Sequence, residues 1–204
     1  MNLIYSWQEE QEPGGVALKP AKDNGLRRPC RAERAGCGEA LDPAEGLMVL
    51  ELNQAQMEAI RRHAARDYPF ECCGVMLGKA DGFGKVVSEI VPLKNLRRDP
   101  ARAREWLPLD DPITESGRNR FFVDPLDQLR LEKDARTRGL DVLGYYHSHP
   151  DHPARPSIYD REHAWPRYSY VIVSVERGSA KDLTSWILAA GGGTLCPEQI
   201  ELVG

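Results

Sequence analysis

One segment, GYYHSHPDHPARPSIYD (144–160), concentrates side chains that can bind a metal ion. If its first part is a strand, alternate side chains share a face, so His147 and His149 can converge while Ser148 points away. Asp160 adds a carboxylate. Two imidazoles and one carboxylate leave the fourth tetrahedral position of zinc open, as in catalytic rather than structural sites. The segment therefore predicts a catalytic metal site.

Ser157 and Asp160 also allow a purely structural interpretation. A serine followed three residues later by an acidic residue is a variant of the capping box, in which Asp160 only complements the helix dipole. Taken alone, the pair favours this second interpretation. Beside two histidines on one strand face it favours a metal site, since the whole pattern arises by chance in roughly one chain in a few thousand.

The order and spacing of these residues resemble the signature of the JAMM (MPN+, Mov34-type) zinc metallopeptidases. That family also carries a catalytic glutamate just after its first helix, commonly before a Cys-Gly strand start, and this chain has Glu71 in the sequence PFECCG. The resemblance covers about residues 47–204 by order of elements and leaves residues 1–45 outside. The residues that carry it are His147, His149, Ser157 and Asp160, together with Glu71.

The resemblance implies a role for each of these residues. His147, His149 and Asp160 would bind one zinc ion per chain, with water as the fourth ligand. Glu71 would accept a proton from that water and later donate it to the leaving amine, and Ser157 would hydrogen-bond the developing oxyanion. The residue types alone agree with this chemistry, but they do not select Glu71 among the glutamates of the chain.

The surrounding pattern predicts an α/β domain with a mixed, partly antiparallel sheet flanked by helices. By resemblance it is a single MPN/JAMM-like (cytidine-deaminase-like) catalytic domain over residues 46–204. Strands are predicted at 47–52, 73–79, 85–93, 120–124, 141–149, 168–176, 183–190 and 198–203. Helices are predicted from the N-cap Asn53 to Pro69, at 125–138 with Leu126 and Leu129 facing inward, and at 157–165.

Several residues near the predicted site are given structural roles. His63 is predicted on the surface of the first helix, His152 in the proline-stiffened loop after His149, and His163 in a polar contact near the site. The charged segment 94–117 is predicted as a long loop with two alternatives. It either clamps a carrier protein through its arginines and Trp106, or is a solvated insertion.

Composition narrows the class of protein. At 204 residues the chain suits one buried core, and residues 1–45 read as a loosely structured extension of unknown role. A net charge of −4 without a block of basic residues argues against a nucleic-acid-binding protein. No apolar run approaches the ~18 residues of a membrane span. The N-terminus lacks the features of a signal peptide. Five cysteines, an odd number with two adjacent, argue against a disulfide framework and for a reducing cytoplasm.

The resemblance points to the bacterial and archaeal branch of the family. It implies hydrolysis of the bond after the C-terminal Gly-Gly of a ubiquitin-like (β-grasp) sulfur carrier protein. The complete set of metal and proton-transfer residues favours an enzyme over a scaffold. Two alternatives stay open: a zinc-containing module that binds a ubiquitin-like partner without cleaving it, and a general small-peptide metallohydrolase. The sequence is compatible with a homo-oligomer and does not identify the carrier.

Overall fold

The computed structural model describes residues 49–81, 84–107, 118–189 and 192–204. Within these ranges the strands are Val49–Asn53 (β1), Cys73–Ala80 (β2), Gly84–Leu93 (β3), Asp141–Pro150 (β4), Ser169–Glu176 (β5), Ser179–Leu188 (β6) and Leu195–Val203 (β7). The helices there are Gln54–Asp67 (α1), Pro100–Ala103 (α2), Pro125–Thr137 (α3) and Ile158–Glu162 (α4).

The strands form one mixed sheet that closes into a barrel, in the order β1-β3-β2-β4-β5-β6-β7. The short strand β1 closes it by pairing in parallel with both β3 and β7. β4 and β5 are also parallel, whereas the remaining neighbours are antiparallel. The predicted α/β architecture with a mixed, partly antiparallel sheet is confirmed. The closure was not predicted, because the periodicity of a strand does not say which strands pair.

Helix α1 begins after Asn53, as predicted. The Asn53 side chain accepts a hydrogen bond from the Gln56 amide (2.9 Å), and the Asn53 amide donates to the Gln56 side chain (2.8 Å), which completes a capping box. Ile60 is fully buried in the main core. The prediction that His63 lies on the surface is wrong, since it is 6% exposed. The hydroxyl of Tyr146 lies 2.8 Å from His63 Nδ1 and gives the buried imidazole a hydrogen-bond partner.

Helix α3 packs on the sheet face opposite α1, in a second core with Val75, Leu77 and Tyr145. It does so through Ala135 and Leu131, not through the residues predicted. Leu126 and Leu129 are 39% and 36% exposed, so their inward orientation is wrong. The helical period explains this, because Leu131 and Ala135 are four residues apart on one face and the two exposed leucines lie off that face.

The prediction of a long loop over 94–117 is wrong for its described part, and residues 108–117 lie outside the described ranges. A 3-10 turn (Leu96–Arg98) is followed by α2, which Asp99 caps and Pro100 begins. The predicted strand at 120–124 is not part of the sheet either. Its Phe122 bonds instead to the turn: the carbonyl accepts from the Leu96 amide (2.7 Å).

The predicted extension 1–45 lies outside the described residues. In the described ranges, no helix is both long enough and apolar enough to cross a membrane.

Candidate active site and metal centre

Strand β4 carries the two predicted histidine ligands in the middle of the sheet, between β2 and β5. His147 and His149 lie on one face, and their Nε2 atoms are 3.0 Å apart. Ser148 points to the other face, where its hydroxyl accepts a hydrogen bond from the Cys72 amide (2.9 Å). The predicted alternation along this strand is therefore confirmed.

The third predicted ligand, Asp160, comes from the first turn of α4. Its Oδ1 atom lies 3.3 Å from His147 Nε2, and its Oδ2 atom lies 3.5 Å from His149 Nε2. Ser157 caps the same helix: its hydroxyl accepts from the Asp160 amide (3.1 Å) and donates to the Asp160 carboxylate (2.7 Å). The capping box is present, and it also aims the carboxylate at the histidines, so the structural role of this pair is compatible with metal binding.

The spacing of these three groups fits a zinc ion. In a tetrahedral site with bonds of about 2.0–2.1 Å, neighbouring ligand atoms lie about 3.3–3.4 Å apart. The three distances here, 3.0, 3.3 and 3.5 Å, bracket that value. Among the described residues, these three form the group of acidic, histidine or cysteine side chains that can hold a metal. The donor set of two imidazoles and a carboxylate also leaves a position open to the cleft.

The surroundings of His149 fix the orientation of its ring. Its Nδ1 atom lies 3.0 Å from the carbonyl of Pro153. A proton on Nδ1 donates to that carbonyl, so the neutral ring keeps its Nε2 lone pair for a metal. The ring of His147 packs against Phe121, with 5.0 Å between the ring centres. The loop after β4 and the segment before α3 thus position the ligands.

Glu71 lies in the same cleft, in the short connection before β2, and is 5% exposed. Burial raises the pKa of its carboxyl well above the usual range, and the charge of Asp160 raises it further. Arg97 and Arg120 act in the opposite direction on the Glu71 pKa. Burial alone would raise the pKa of Asp160, but the neighbouring His147, His149 and Ser157 side chains outweigh it and lower that pKa below its usual range. The two carboxyls therefore suit different tasks, one in proton transfer and one in metal binding.

The cleft that joins these groups has a volume of about 410 Å³. It holds Glu71, His149, Ser157 and Asp160 in its lining. The remaining lining residues come from two segments, 118–121 and 152–159. The arginines among them are Arg118, Arg120 and Arg155. The cleft is thus open beside the ligands and large enough for an extended peptide segment.

The other predicted residues near the site have contacts of their own. His163 ends α4 and places Nδ1 2.8 Å from the Tyr159 carbonyl, and it is not one of the clustered ligands. Asp151 shapes the loop, since it accepts hydrogen bonds from the Tyr68 hydroxyl (2.9 Å) and the Arg177 amide (3.0 Å). Burial raises the pKa of Cys72 to about 12, which leaves a thiol unsuited to nucleophilic attack.

Asn95 is a site residue that the sequence does not predict. It follows β3 in the charged stretch KNLRRDP, where nothing in the local pattern distinguishes it from surface residues. Its side chain is buried and contacts the backbone of both Glu71 and Arg120. Only the folding of two distant segments onto this turn makes Asn95 part of the site.

The fold and the donor set together define a protein of the JAB-domain class. Residues 53–189 match the family described as prokaryotic homologs of the JAB domain, and the chain belongs to that family. The resemblance to the prokaryotic JAMM/MPN proteins is thereby confirmed.

Characterised relatives and solved structures agree with this membership. The chain is 34% identical over 115 residues to the desampylase of Haloferax volcanii, covering 56% of this chain and 69% of that protein. It is 30% identical over 129 residues to a probable TtuB-protein conjugate cleaving protease of Thermus thermophilus, and the match covers 63% of this chain and 72% of that protein. Two solution structures are each 33% identical. The structure from Desulfitobacterium hafniense has a TM-score of 0.58, and the match covers 76% of this chain and 93% of that one. The structure from Salinibacter ruber has a TM-score of 0.54, and the match covers 76% of this chain and 91% of that one.

Proposed function

We propose that the protein is a zinc-dependent isopeptidase that hydrolyses the bond after the C-terminal Gly-Gly of a ubiquitin-like sulfur carrier protein. The observation that carries the proposal is a buried glutamate in one open cleft with two histidines and an aspartate that could hold a metal ion. The names of two relatives, a desampylase and a conjugate cleaving protease, support hydrolysis of protein conjugates.

In this mechanism His147, His149 and Asp160 would hold the zinc ion. When bound, zinc supplies Lewis acidity and lowers the pKa of a water ligand. Glu71 takes a proton from the attacking water, and its raised pKa makes the carboxylate a stronger base for this step. The same carboxylic acid then protonates the leaving amine. Ser157 stabilises the oxyanion by turning its hydroxyl from Asp160 towards the cleft.

The segment 118–124 is suited to binding an extended carrier tail by strand addition. The Phe122 amide and the Arg120 carbonyl bond to the Asn95 side chain, and the Phe122 carbonyl bonds to Leu96. In an extended chain the backbone groups of the next residue point to the opposite side. Phe121, which lines the cleft, would offer its amide and carbonyl to a tail there.

Other parts of the proposal extend beyond the family assignment. The cytidine-deaminase-like character of the fold, the cytoplasmic location and the division into an extension (1–45) and a catalytic domain (46–204) stay predictions, and a homo-oligomer stays compatible with the sequence. The same holds for a clamping role of the arginines and Trp106 in 94–117.

The test uses a carrier extended by a few residues beyond Gly-Gly, with mass spectrometry of the products. The zinc-loaded protein should release the tail, and Glu71→Gln should lower the rate by about 10²–10⁴-fold while bound zinc is unchanged. The matched control is Glu58→Gln, an exposed position on α1.

Each alternative has its own outcome. Tight binding without cleavage would replace the proposal by the binding module. Equal cleavage of unrelated short peptides would replace it by a general small-peptide hydrolase. Cleavage that survives both chelation and Glu71→Gln would contradict the mechanism.

A further inference from the structure

Both segments that line the cleft beside the metal ligands carry cationic side chains. Arg118 and Arg120 come from the segment before α3, and Arg155 comes from the loop after β4. The acidic residues in the lining are Glu71 and Asp160, which the mechanism already uses. The part of the cleft left for the substrate is therefore positively charged, and such a cleft concentrates anionic ligands.

Arg118 and Arg155 are exposed and form no close ion pair with a described residue, and the anionic neighbour of Arg118 is Asp151, whose pKa its charge helps to lower. Three arginines elsewhere are paired instead: Arg98 with Asp67, Arg102 with Asp124 and Arg138 with Glu89. Two guanidinium groups that line one cleft can both attract an anion bound there. Guanidinium groups also bind carboxylates with two parallel hydrogen bonds.

We propose that Arg118 and Arg155 select substrates with a carboxylate within a few residues of the scissile bond. The inference deepens the proposed function and rests on it. Two sources supply the same chemistry: the terminal carboxylate of a very short tail, and an acidic side chain in a longer tail. Both place a negative charge beside the metal centre.

The experiment compares one carrier with different two-residue tails after Gly-Gly, all amidated at the C-terminus, carrying Glu, Gln or Lys. The zinc-loaded wild type should have a kcat/KM about tenfold higher for Glu than for Gln, as one good charge contact provides. The double variant R118Q/R155Q should bring the ratio close to one, and R118E/R155E should reverse the preference in favour of Lys. The control is Arg136→Gln on the exposed side of α3, which should keep the wild-type ratio.

Two further arms complete the test. A single-residue tail with a free or an amidated terminus separates the two sources of the carboxylate. Equal wild-type rates for Glu and Gln tails, and for free and amidated tails, would overturn the inference while the proposed function stands. Failure to cleave any carrier would overturn the proposed function. In that case anisotropy of labelled tails decides, and the inference falls if acidic tails bind no tighter than neutral ones.

A second inference comes from the hydrogen bonds of Asn95, which is 1% exposed. Its Nδ2 atom donates to the carbonyls of Glu71 (3.0 Å) and Arg120 (3.1 Å). Its Oδ1 atom accepts from the amides of Arg97 (3.1 Å) and Phe122 (3.2 Å). These four bonds use both protons of the amide and both lone pairs of its oxygen.

The bonds matter because the segments they join have no sheet ladder of their own. Glu71 precedes β2, and Phe122 lies between α2 and α3 outside any strand. On the opposite side, Ser148 accepts from the Cys72 amide. The backbone around Glu71 is therefore held between the side chains of Asn95 and Ser148. We infer that Asn95 is a positioning residue for Glu71.

The test is a double-mutant cycle. Asn95→Asp keeps the shape and both acceptor bonds but removes both donated bonds, and it should lower kcat by about 10–100-fold per bound zinc. In the Glu71→Gln background the same change should have almost no further effect, because the group that Asn95 positions is absent. Asn53→Asp is the control, since aspartate caps a helix as well as asparagine does. Equal losses of kcat in both backgrounds would show a general structural role and overturn the inference.

Discussion

Two buried polar clusters on this sheet solve the problem of burying charge in different ways. In the first, the Lys85 cluster, the ammonium of Lys85 donates to Ser169 Oγ (2.7 Å) and lies 3.5 Å from Glu198 Oε1. Ser169 and Ser185 donate to the two carboxylate oxygens of Glu198 at 2.9 and 2.6 Å. Its charges cancel within the chain, so the cluster requires no ligand.

The second, the metal cluster, could instead take its cation from outside the chain. His147, His149 and Asp160 aim two imidazole nitrogens and a carboxylate at one point, with the nitrogens 3.0 Å apart. The group combines two imidazoles with one carboxylate, the donor set of a catalytic zinc site, so a metal ion is the cation proposed for it. Burial of polar residues alone therefore does not identify a ligand-binding site. A buried charge with an opposite charge from the same chain indicates a structural role. A buried charge without such a partner indicates a place where a ligand can bind.

The largest predicted effect comes from breaking the self-sufficient cluster. Glu198→Gln leaves Lys85 buried without an anion and should lower the free energy of unfolding by about 3–5 kcal/mol. Urea denaturation of the metal-free protein measures it. The double change Lys85→Met with Glu198→Leu should restore most of this stability, because apolar replacement of a buried ion pair is often neutral.

These two variants also test whether the cluster is only structural. The rate per folded, zinc-loaded molecule should match the wild type in the double variant. A double variant that folds normally but has lost turnover would contradict the contrast between the two clusters.

The next prediction breaks the metal cluster. Asp160→Asn keeps the shape of the side chain but loses the charge, and zinc affinity should fall on the order of a hundredfold or more. Competition with a chromophoric chelator measures this affinity. Asp127→Asn, in the first turn of α3, is the matched control and should bind zinc as the wild type does. Unchanged zinc affinity of Asp160→Asn would exclude Asp160 as a ligand.

The sequence predicts the metal cluster better than it predicts the Lys85 cluster. His147 and His149 are two residues apart in a strand, and Asp160 follows in a cap that local rules identify. Local rules predict that these side chains lie close together, because all three come from one short segment, and the whole pattern was needed to favour a metal site over a simple helix cap. Glu71 required the family resemblance, since no local rule links it to a site some seventy residues further along the chain.

The remaining features depend on tertiary contacts that no local pattern encodes. Lys85 reads as a surface lysine at the start of a hairpin strand, and its partner Glu198 is far along the chain. Asn95 and His63 have the same character, being polar residues buried by contacts with remote backbone or side chains. Barrel closure by β1 belongs to this group too, because it joins the first and last strands of the domain.

The smallest predicted effect concerns the stability cost of burying the carboxyl of Glu71. Burial and the charge of Asp160 raise the pKa of Glu71 in the folded chain above its usual value of 4.5. Between these two pKa values the folded state holds a proton that the unfolded state has lost, so stability falls as pH rises through this range and stays lower above it. Glu71→Gln removes the ionisation and should stabilise the metal-free protein at neutral pH by about 0.5–2 kcal/mol.

Urea denaturation of both metal-free proteins over a pH series measures this gain, which should shrink as pH falls and Glu71 becomes protonated in the folded state. Glu58→Gln on the exposed face of α1 should change stability by less than about 0.5 kcal/mol at every pH. A glutamine variant no more stable than the wild type at neutral pH would mean that the chain already compensates the buried charge of Glu71. The cleft around Glu71 would then resemble the Lys85 cluster, in which buried charges are neutralised within the chain. A buried charge without a partner would no longer distinguish the proposed site from the rest of the fold.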